Sequence, residues 1–485
     1  MEAAGGHSSV QGGRTGQWKA FVVLATAFVA VVGIAVLLPI AREGSDRGHR
    51  RSASAAAVPL TPIQHVVLIY QENRSFDHVF GAMCAAEHRC DGVTTGELVS
   101  GTTIPLSHAA DVTPLMNHKT IDQATAVDGG RMDGFENIGS CQGPTYACYS
   151  QYQPSDIPVL TALAETYTIS DRTFTQHQIP SYTAHLEIAA ATTDGFTGDN
   201  PSTNMNSKGT PGWGCDSHRD APWTDRSAQY PVPLLVPACV PDANGAGPYR
   251  PSPVQHVPTI MDRLDDAGLT WKIYSNPSPL DTGYPWSICP SFAECLNGRQ
   301  HAGLVNRSTF ISDAAAGALP SYSLVMPDWA DSQHDGTSMK QGDNYIAALV
   351  SAVMRGPDWA STAIFITYDD CGCFYDHVPP PSPDLGIRVP MVIVSPYAKP
   401  HYVDSNVATF TGTMAFVEWN WQLPNLGQDD VGAYDYCNSF TFGCNPTPSA
   451  RLRAGTTPRI TLHPSHVPAH EPGLVTHMQA DDDGT

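Results

Sequence analysis

The chain has 485 residues, of which 41% are hydrophobic and 15% are charged, and it carries 41 glycines and 41 prolines. This composition excludes a disordered or fibrous chain and predicts a loop-rich globular domain with a sizeable core. A formal net charge of −21 excludes binding of nucleic acid or anionic lipid by the surface as a whole, so any phosphate group has to be held locally.

The first predicted element is a membrane-spanning helix over residues 20–40. The stretch is almost wholly apolar, and its length at helical rise matches the hydrocarbon core of a bilayer. It is longer than the apolar region of most cleaved secretory signals, which favours an uncleaved signal anchor in the cell membrane after a short tail, residues 1–19. Residues 41–60 form a linker rich in Ser, Ala and Arg, and cleavage there, giving a secreted protein, is the alternative.

Two observations disagree about the side of the membrane on which the large domain lies. The arginines that follow the apolar segment outnumber the basic residues before it, which argues against export. The 12 cysteines argue for export, because many lie at short spacings that suit local disulfides in an oxidising compartment. These are Cys84 and Cys90, Cys141 and Cys148, Cys289 and Cys295, Cys437 and Cys444, and, further apart, Cys215 and Cys239. We expect an extracytoplasmic domain, with buried free thiols as the alternative.

The folded domain, residues 61–465, alternates predicted strands and helices. The predicted strands are 66–70, 269–274, 322–326, 363–368 and 391–394, and the predicted helices are 157–167, 182–191, 260–267, 344–354 and 413–421. Such alternation predicts an α/β fold with a mainly parallel sheet. Residues 196–256 are dense in Pro, Gly, Asn, Asp and Ser, and we interpret them as an inserted loop region or cap, while residues 466–485 read as a flexible tail.

Polar residues follow two of the predicted strands. Glu72 and Asn73 follow the first strand, and Asp369 and Asp370 follow a late one, at the strand ends where ligands collect in open α/β sheets. Carboxylate and amide oxygens suit a hard divalent cation. Ser181 stands where a helix N-cap belongs, and the positive helix end there favours an alkoxide or a phosphate. A polar strand end and a plain N-cap are the ordinary alternatives.

Two histidines and two cysteines are further candidates. His118 and His334 lie in polar loops, and an imidazole suits proton transfer or donation to a phosphate oxygen, although both residues fit ordinary loop positions. Cys371 and Cys373 come directly after Asp370, where two thiolates beside carboxylates would make a zinc site. We expect instead that they form disulfides with other cysteines, because ring geometry disfavours a bond between them.

Four segments together resemble a known family. The segment IQHVVLIYQENRSFDHVFG at 63–81 closely resembles the opening signature of the phosphoesterase family, which includes bacterial and plant non-specific phospholipases C and a bacterial acid phosphatase. Further matches are RMDGF at 131–135, FITYDDCGCFYDHVPPP at 365–381 and the block at 388–400. The blocks stand in family order over about 62–425, so the resemblance covers most of the chain.

The resemblance implies an alkaline-phosphatase-like α/β sandwich with a metal centre. The metal, whether Ca, Mg, Mn or Zn, would be held by the equivalents of Glu72, Asn73, Asp369 and Asp370 and by the nucleophilic hydroxyl, which Ser181 matches. His118 and His334 resemble the family's phosphate-contacting or proton-transferring histidines.

The activity that the resemblance implies is metal-dependent hydrolysis of a phosphate ester, either a phospholipid or a phosphomonoester. This sequence departs from the family pattern where Cys371 and Cys373 interrupt the usual turn, where His185 stands in place of an arginine common in phospholipases, and at 409–412, which lacks a common histidine. These departures concern the substrate more than hydrolysis. The alternative from another class is a surface-anchored binding protein that kept the fold without catalysis.

Overall fold

The computed structural model describes residues 57–202, 212–225, 233–279, 281–447, 449 and 453–467. The predicted membrane-spanning helix, residues 20–40, lies outside these ranges, as do residues 1–19 and most of the predicted linker and tail. Among the residues that are described, no helix is long and apolar enough to cross a bilayer. The signal anchor therefore stays a prediction.

An eight-stranded sheet forms the centre of the described domain. In chain order its strands are β1 His65–Gln71, β2 Thr168–Ser170, β3 Trp271–Ser275, β4 Leu304–Asn306, β5 Tyr322–Val325, β6 Thr362–Tyr368, β7 Met391–Val394 and β8 Tyr402–Asp404. Their spatial order is β4-β3-β5-β1-β6-β7-β2-β8. Neighbouring strands run parallel except in the two pairs made by β7, which is antiparallel to both β6 and β2. The predicted α/β fold with a mainly parallel sheet is confirmed.

Strand β1 lies between β5 and β6 and is buried on both faces, as expected for a continuous run of β-branched and apolar residues. Its register with β6 pairs Gln71 with Tyr368, the last residue of each strand. Because the two strands are parallel and end level, the residues that follow them emerge side by side at one edge of the sheet. This register brings the two acidic segments together.

The described part of the chain contains nine α-helices. They are α1 Ala82–Glu87, α2 Thr120–Val127, α3 Pro158–Thr166, α4 Ser181–Ala190, α5 Ile260–Asp266, α6 Ala293–Asn297, α7 Thr309–Ala316, α8 Met339–Arg355 and α9 Gly412–Trp421. The five predicted helices correspond to α3, α4, α5, α8 and α9. The largest difference is at α8, which begins five residues earlier than predicted, with Ser338 as an N-cap that accepts from the Gln341 amide.

Two hydrophobic cores lie on the two faces of the sheet. Along β1, Val66 and Leu68 point into one core, while Val67 and Ile69 point into the other. The first core packs against α4, α5 and α9, and the second packs against α3, α7 and α8. Helices therefore cover both faces of the sheet, which is the sandwich architecture expected from the sequence.

Four small two-stranded sheets lie outside the central one. They pair Thr95–Glu97 with Thr103–Pro105, Ser107–His108 with Ser150–Gln151, Thr173–Phe174 with Ala408–Thr409, and Asp220–Trp223 with Leu234–Pro237. The last of them lies in the segment 196–256 that was interpreted as an insertion. The boundaries proposed for the domain, insertion and tail stay predictions.

Ten of the cysteines form five disulfides, and each joins a pair that the spacing suggested: 84–90, 141–148, 215–239, 289–295 and 437–444. The prediction that Cys371 and Cys373 form disulfides with other cysteines is wrong. Both are free and buried, with their sulfur atoms 3.9 Å apart. The other ten cysteines are already joined to partners close in sequence, so none remains for these two.

Candidate active site

The ends of β1 and β6 position four buried polar residues. The Asp369 amide donates to the Gln71 carbonyl at 3.0 Å, and the Asn73 amide donates to Asp369 Oδ1 at 2.8 Å, so the two segments are tied to each other. Asn73 has a φ of 55°, in the left-handed region that Asn tolerates better than most residues. Asp370 Oδ1 accepts from the Gly372 amide at 2.6 Å, which orients its second oxygen.

Ser181 lies against these residues and comes from a different element, helix α4. It is the first residue of α4 and Pro180 is the N-cap, so the predicted N-cap position is wrong by one residue. The hydroxyl does not cap the helix, because Oγ lies 3.3 Å from Glu72 Oε2, 3.3 Å from Asn73 Oδ1 and 3.5 Å from Asp370 Oδ2. The structure thus brings Ser181 together with the residues at the strand ends.

Mutual repulsion and burial dominate the electrostatics of this cluster. Burial, together with the negative charge of Asp369, raises the pKa of both the Glu72 and Asp370 carboxyls well above their usual range. Three carboxylates, an amide oxygen and a hydroxyl oxygen facing one another form a donor set that a divalent cation neutralises and that hard cations prefer. The residues present therefore fit a divalent metal, for which Glu72, Asn73, Ser181, Asp369 and Asp370 are the candidate ligands.

Two histidines face the same cluster through Asn73. Its Nδ2 lies 3.1 Å from His118 Nε2 and 2.7 Å from His334 Nε2. The other ring nitrogens face backbone carbonyls, with His118 Nδ1 2.8 Å from the Met116 oxygen and His334 Nδ1 2.8 Å from the Asp335 oxygen. Each Nδ1 therefore carries a proton, and in the neutral rings each Nε2 presents a lone pair to the site.

The orientation of the Asn73 amide is linked to these protons. With neutral histidines, the amide nitrogen donates to both rings and Oδ1 faces Ser181, where it serves as a metal ligand. In the opposite orientation, the nitrogen donates to Asp369 and Glu72 and the oxygen accepts from both histidines. When both rings are protonated, that orientation gives the amide nitrogen carboxylate acceptors and gives each histidine an acceptor for its Nε2 proton. A cation among the carboxylates favours the first orientation, because it needs the oxygen.

Sequence reasoning missed the groups that surround His334. Asp335 Oδ1 lies 2.7 Å from His334 Nδ1, and although burial opposes it, the histidine lowers the pKa of Asp335 well below its usual range. The rings of Trp286 and Trp329 lie beside the imidazole, with centroids 6.2 and 4.5 Å away. The His-Asp dipeptide and the position of Trp329, five residues before His334, were usable signals, whereas nothing in the sequence connected Trp286 with the site.

His185 is a second residue that the sequence analysis left out of the site. Its Nε2 lies 3.1 Å from Glu72 Oε1, and burial lowers the pKa of the imidazole to about 4, so the ring is neutral near pH 7. The signal was its spacing, since a residue four positions after Ser181 lies on the same face of the helix.

A buried ionic network supports the loop that follows Asp370. Arg388 donates to Asp376 Oδ1 at 2.9 Å and to Asp77 Oδ1 at 3.3 Å, and all three side chains are fully buried. Arg388, from the matching block at 388–400, thus holds the segments at 63–81 and 365–381 together.

The chain is similar to known proteins over most of its length. The model of the Phosphoesterase family matches residues 63–424. Phospholipase C B of Mycobacterium tuberculosis is 24% identical over 458 residues, covering 80% of this chain and 80% of its own. Non-hemolytic phospholipase C of Pseudomonas aeruginosa is 23% identical, covering 87% of this chain and 63% of its own. The structure of a protein in the alkaline phosphatase superfamily from Vibrio parahaemolyticus covers 77% of this chain and 71% of its own at 10% identity, with a TM-score of 0.34, which is too low to carry a conclusion.

Proposed function

The chain belongs to the Phosphoesterase family and is a phosphoester hydrolase, and from this premise we propose that it cleaves its substrate with Ser181 as nucleophile and a divalent metal as cofactor. The observation that carries the proposal is the position of the Ser181 hydroxyl, within 3.5 Å of oxygens from Glu72, Asn73 and Asp370. A serine held among buried carboxylates has no evident structural purpose, whereas a metal-activated nucleophile requires this arrangement.

The metal would be held by Glu72, Asn73, Ser181, Asp369 and Asp370. When bound, a divalent cation lowers the pKa of a coordinated hydroxyl and neutralises negative charge on phosphate oxygens. Ca, Mg, Mn and Zn all accept oxygen ligands, so these five residues do not distinguish between them.

The protein residues supply the remaining chemistry. Ser181 loses its hydroxyl proton to solvent and Oγ attacks phosphorus in line; the bond from phosphorus to the leaving alcohol breaks, and the phosphoryl group is left on the serine. A water molecule then attacks the phosphoserine and gives a proton to His334, which has protonated the alcohol, and the bond from phosphorus to Oγ breaks, which releases the second product. When the phosphate group binds, its equatorial oxygens replace the Asn73 amide as the partners of Nε2 in His118 and His334, and the protonated rings donate to those oxygens. We assign protonation of the leaving alcohol to His334, because Asp335 stabilises its imidazolium.

The substrate is a phosphate ester that is either a phospholipid or a phosphomonoester. The relatives named as phospholipases C support the first, and cleavage on the glycerol side would release diacylglycerol and a phosphorylated headgroup. A panel of phosphatidylcholine, phosphatidylethanolamine and small monoesters, with diacylglycerol and inorganic phosphate both measured, tests the assignment. Diacylglycerol formation supports a phospholipase C, and phosphate release from monoesters alone supports a phosphatase. Turnover of neither class would contradict the proposal.

We also propose that the domain is extracytoplasmic and is tethered to the cell membrane through residues 20–40. Five disulfides support an oxidising compartment, because such bonds rarely persist in a reducing cytosol. Digestion of intact cells with an external protease tests this placement. Loss of the domain with cytosolic markers intact is expected, and full protection of the domain in those cells would contradict it.

A further inference from the structure

We infer that His185 is an additional, imidazole ligand of the metal and biases the site towards zinc and similar late first-row cations over magnesium and calcium. The inference rests on the proposed metal site and extends it, because the five ligands named above are all oxygen donors. A nitrogen donor changes which cation the site prefers.

The two oxygens of Glu72 face different groups. Oε2 lies 3.3 Å from Ser181 Oγ, and Oε1 lies 3.1 Å from His185 Nε2. A ring nitrogen of His185 and one carboxylate oxygen each from Glu72 and Asp369 lie within 4.8 Å of one another. Ligands bonded to one zinc ion at about 2.0–2.2 Å lie at most about 4.4 Å apart, so small adjustments bring all three atoms onto a common ion.

The imidazole is held in place by its surroundings. Its exposure is 2%, and the ring packs between Tyr70, at a centroid distance of 5.3 Å, and Trp213, at 5.8 Å and nearly perpendicular. Helix α4 places it one turn after Ser181, on the face that meets the strand ends. A ring fixed in this way is preorganised to present Nε2 to the metal site and cannot turn out into solvent.

The chemistry of the donor set points to one class of cation. Magnesium and calcium take oxygen ligands, whereas imidazole suits zinc, iron, nickel and copper. A neutral imidazole also adds a ligand without adding negative charge to a cluster that already holds three carboxylates. Zinc, which accepts carboxylate and imidazole ligands together, suits such a mixed set best.

The alternative is that His185 only orients Glu72 by a hydrogen bond, and two variants separate the cases. His185→Gln keeps a donor near Glu72 but removes the imidazole, and His185→Phe keeps a ring between Tyr70 and Trp213 but removes both functions. His108→Gln is the matched control, because His108 is an exposed imidazole paired with Asp156. Circular dichroism in EDTA establishes that each variant is folded.

The experiment measures dissociation constants of Zn²⁺ and Mg²⁺ for the metal-free full chain in detergent, together with the visible spectrum of the Co²⁺ form. We expect His185→Gln and His185→Phe to weaken zinc binding at least about tenfold, to change magnesium binding by less than about threefold, and to alter the cobalt spectrum. His108→Gln should match the unmodified protein.

If the two His185 variants bound Zn²⁺ and Mg²⁺ more weakly by the same factor, or bound both ions as tightly as the unmodified protein does, the inference would be overturned. The proposed metal-dependent hydrolase would remain intact. Failure of the unmodified chain to bind any divalent cation would overturn this inference together with the proposed metal site. Hydrolysis by that metal-free chain would restrict the failure to the cofactor and leave the hydrolase itself standing.

Discussion

Replacing Asp370 with asparagine should reverse the order of stability between the variant and the unmodified protein when metal is added. Asp370 lies in a buried site beside two other carboxylates: Asp369, whose negative charge raises the Asp370 pKa, and Glu72, which like Asp370 lies within 3.5 Å of Ser181 Oγ. Two unit charges about 7 Å apart repel by about 2 kcal/mol at an effective dielectric constant of about 20. The Asp370→Asn substitution removes that repulsion with almost no change of shape, so the metal-free variant should be more stable by about 2 kcal/mol.

Metal binding should act in the opposite direction. A cation at a hundredfold excess over its dissociation constant stabilises the folded state by about 2.7 kcal/mol, and a variant that lacks a charged ligand loses most of this gain. Urea unfolding at pH 8, in EDTA and with saturating Zn²⁺ or Mn²⁺, measures both effects. Asp384→Asn, which removes an exposed carboxylate, is the control and should show neither.

The opposite result is that Asp370→Asn is no more stable than the unmodified protein in EDTA and is stabilised by metal to the same extent. That result would mean that the carboxylates neither repel one another nor share a cation.

Three further predictions concern His334 as the general acid, the buried carboxyl of Glu418, and the free thiols of Cys371 and Cys373. His334→Gln should lower kcat about 100-fold or more for alkyl phosphates but much less for p-nitrophenyl phosphate, whose leaving group needs no proton; an equal loss on both would rule out His334 as the acid. Burial, and next the negative charge of Asp430, raise the pKa of the Glu418 carboxyl to about 8, above its value in the unfolded chain. The contribution of Glu418 to the free energy of unfolding is therefore fully present below about pH 4.5 and is lost as the pH rises through 8. As the pH rises from about 5.5 to about 9, the free energy of unfolding of Glu418→Gln, measured in urea, should therefore increase relative to that of the unmodified protein by about 1–3 kcal/mol, a range that allows for solvent screening of the carboxylate. Parallel curves of unfolding free energy against pH would contradict this. Without reductant, a thiol-reactive dye should find two thiols in the urea-unfolded chain and none in the folded protein, because Cys371 and Cys373 are buried; ready labelling of the native chain would contradict their placement.

The sheet and the acidic segments could be predicted from the sequence because they depend on local pattern. A buried β-branched strand that ends in Gln-Glu-Asn, and another that ends in Asp-Asp, had to emerge at one edge once the strands were parallel. The register of β1 with β6 then put Glu72 beside Asp369. The five disulfides followed from spacing for the same reason.

The remaining part of the site depends on contacts between distant elements. Trp286, whose ring lies beside His334, comes from the separate short helix Pro285–Ser287, and no periodicity relates it to the catalytic segments. His185 was visible as a departure from the family pattern, but its contact with Glu72 follows from how α4 packs against the end of β1. Cys371 and Cys373 were assigned wrongly because spacing indicates which cysteines can pair and does not reveal which remain free.

Trapping the phosphorylated enzyme tests whether Ser181 is the nucleophile. Acid quenching during turnover of a substrate identified by the panel, followed by mass spectrometry of peptides, should locate one phosphoryl group on Ser181. Ser181→Ala should lack it and should lose at least about 1,000-fold in kcat while keeping its fold. A phosphoryl group on another residue, or near-normal turnover by Ser181→Ala, would contradict the assignment of Ser181 as the nucleophile.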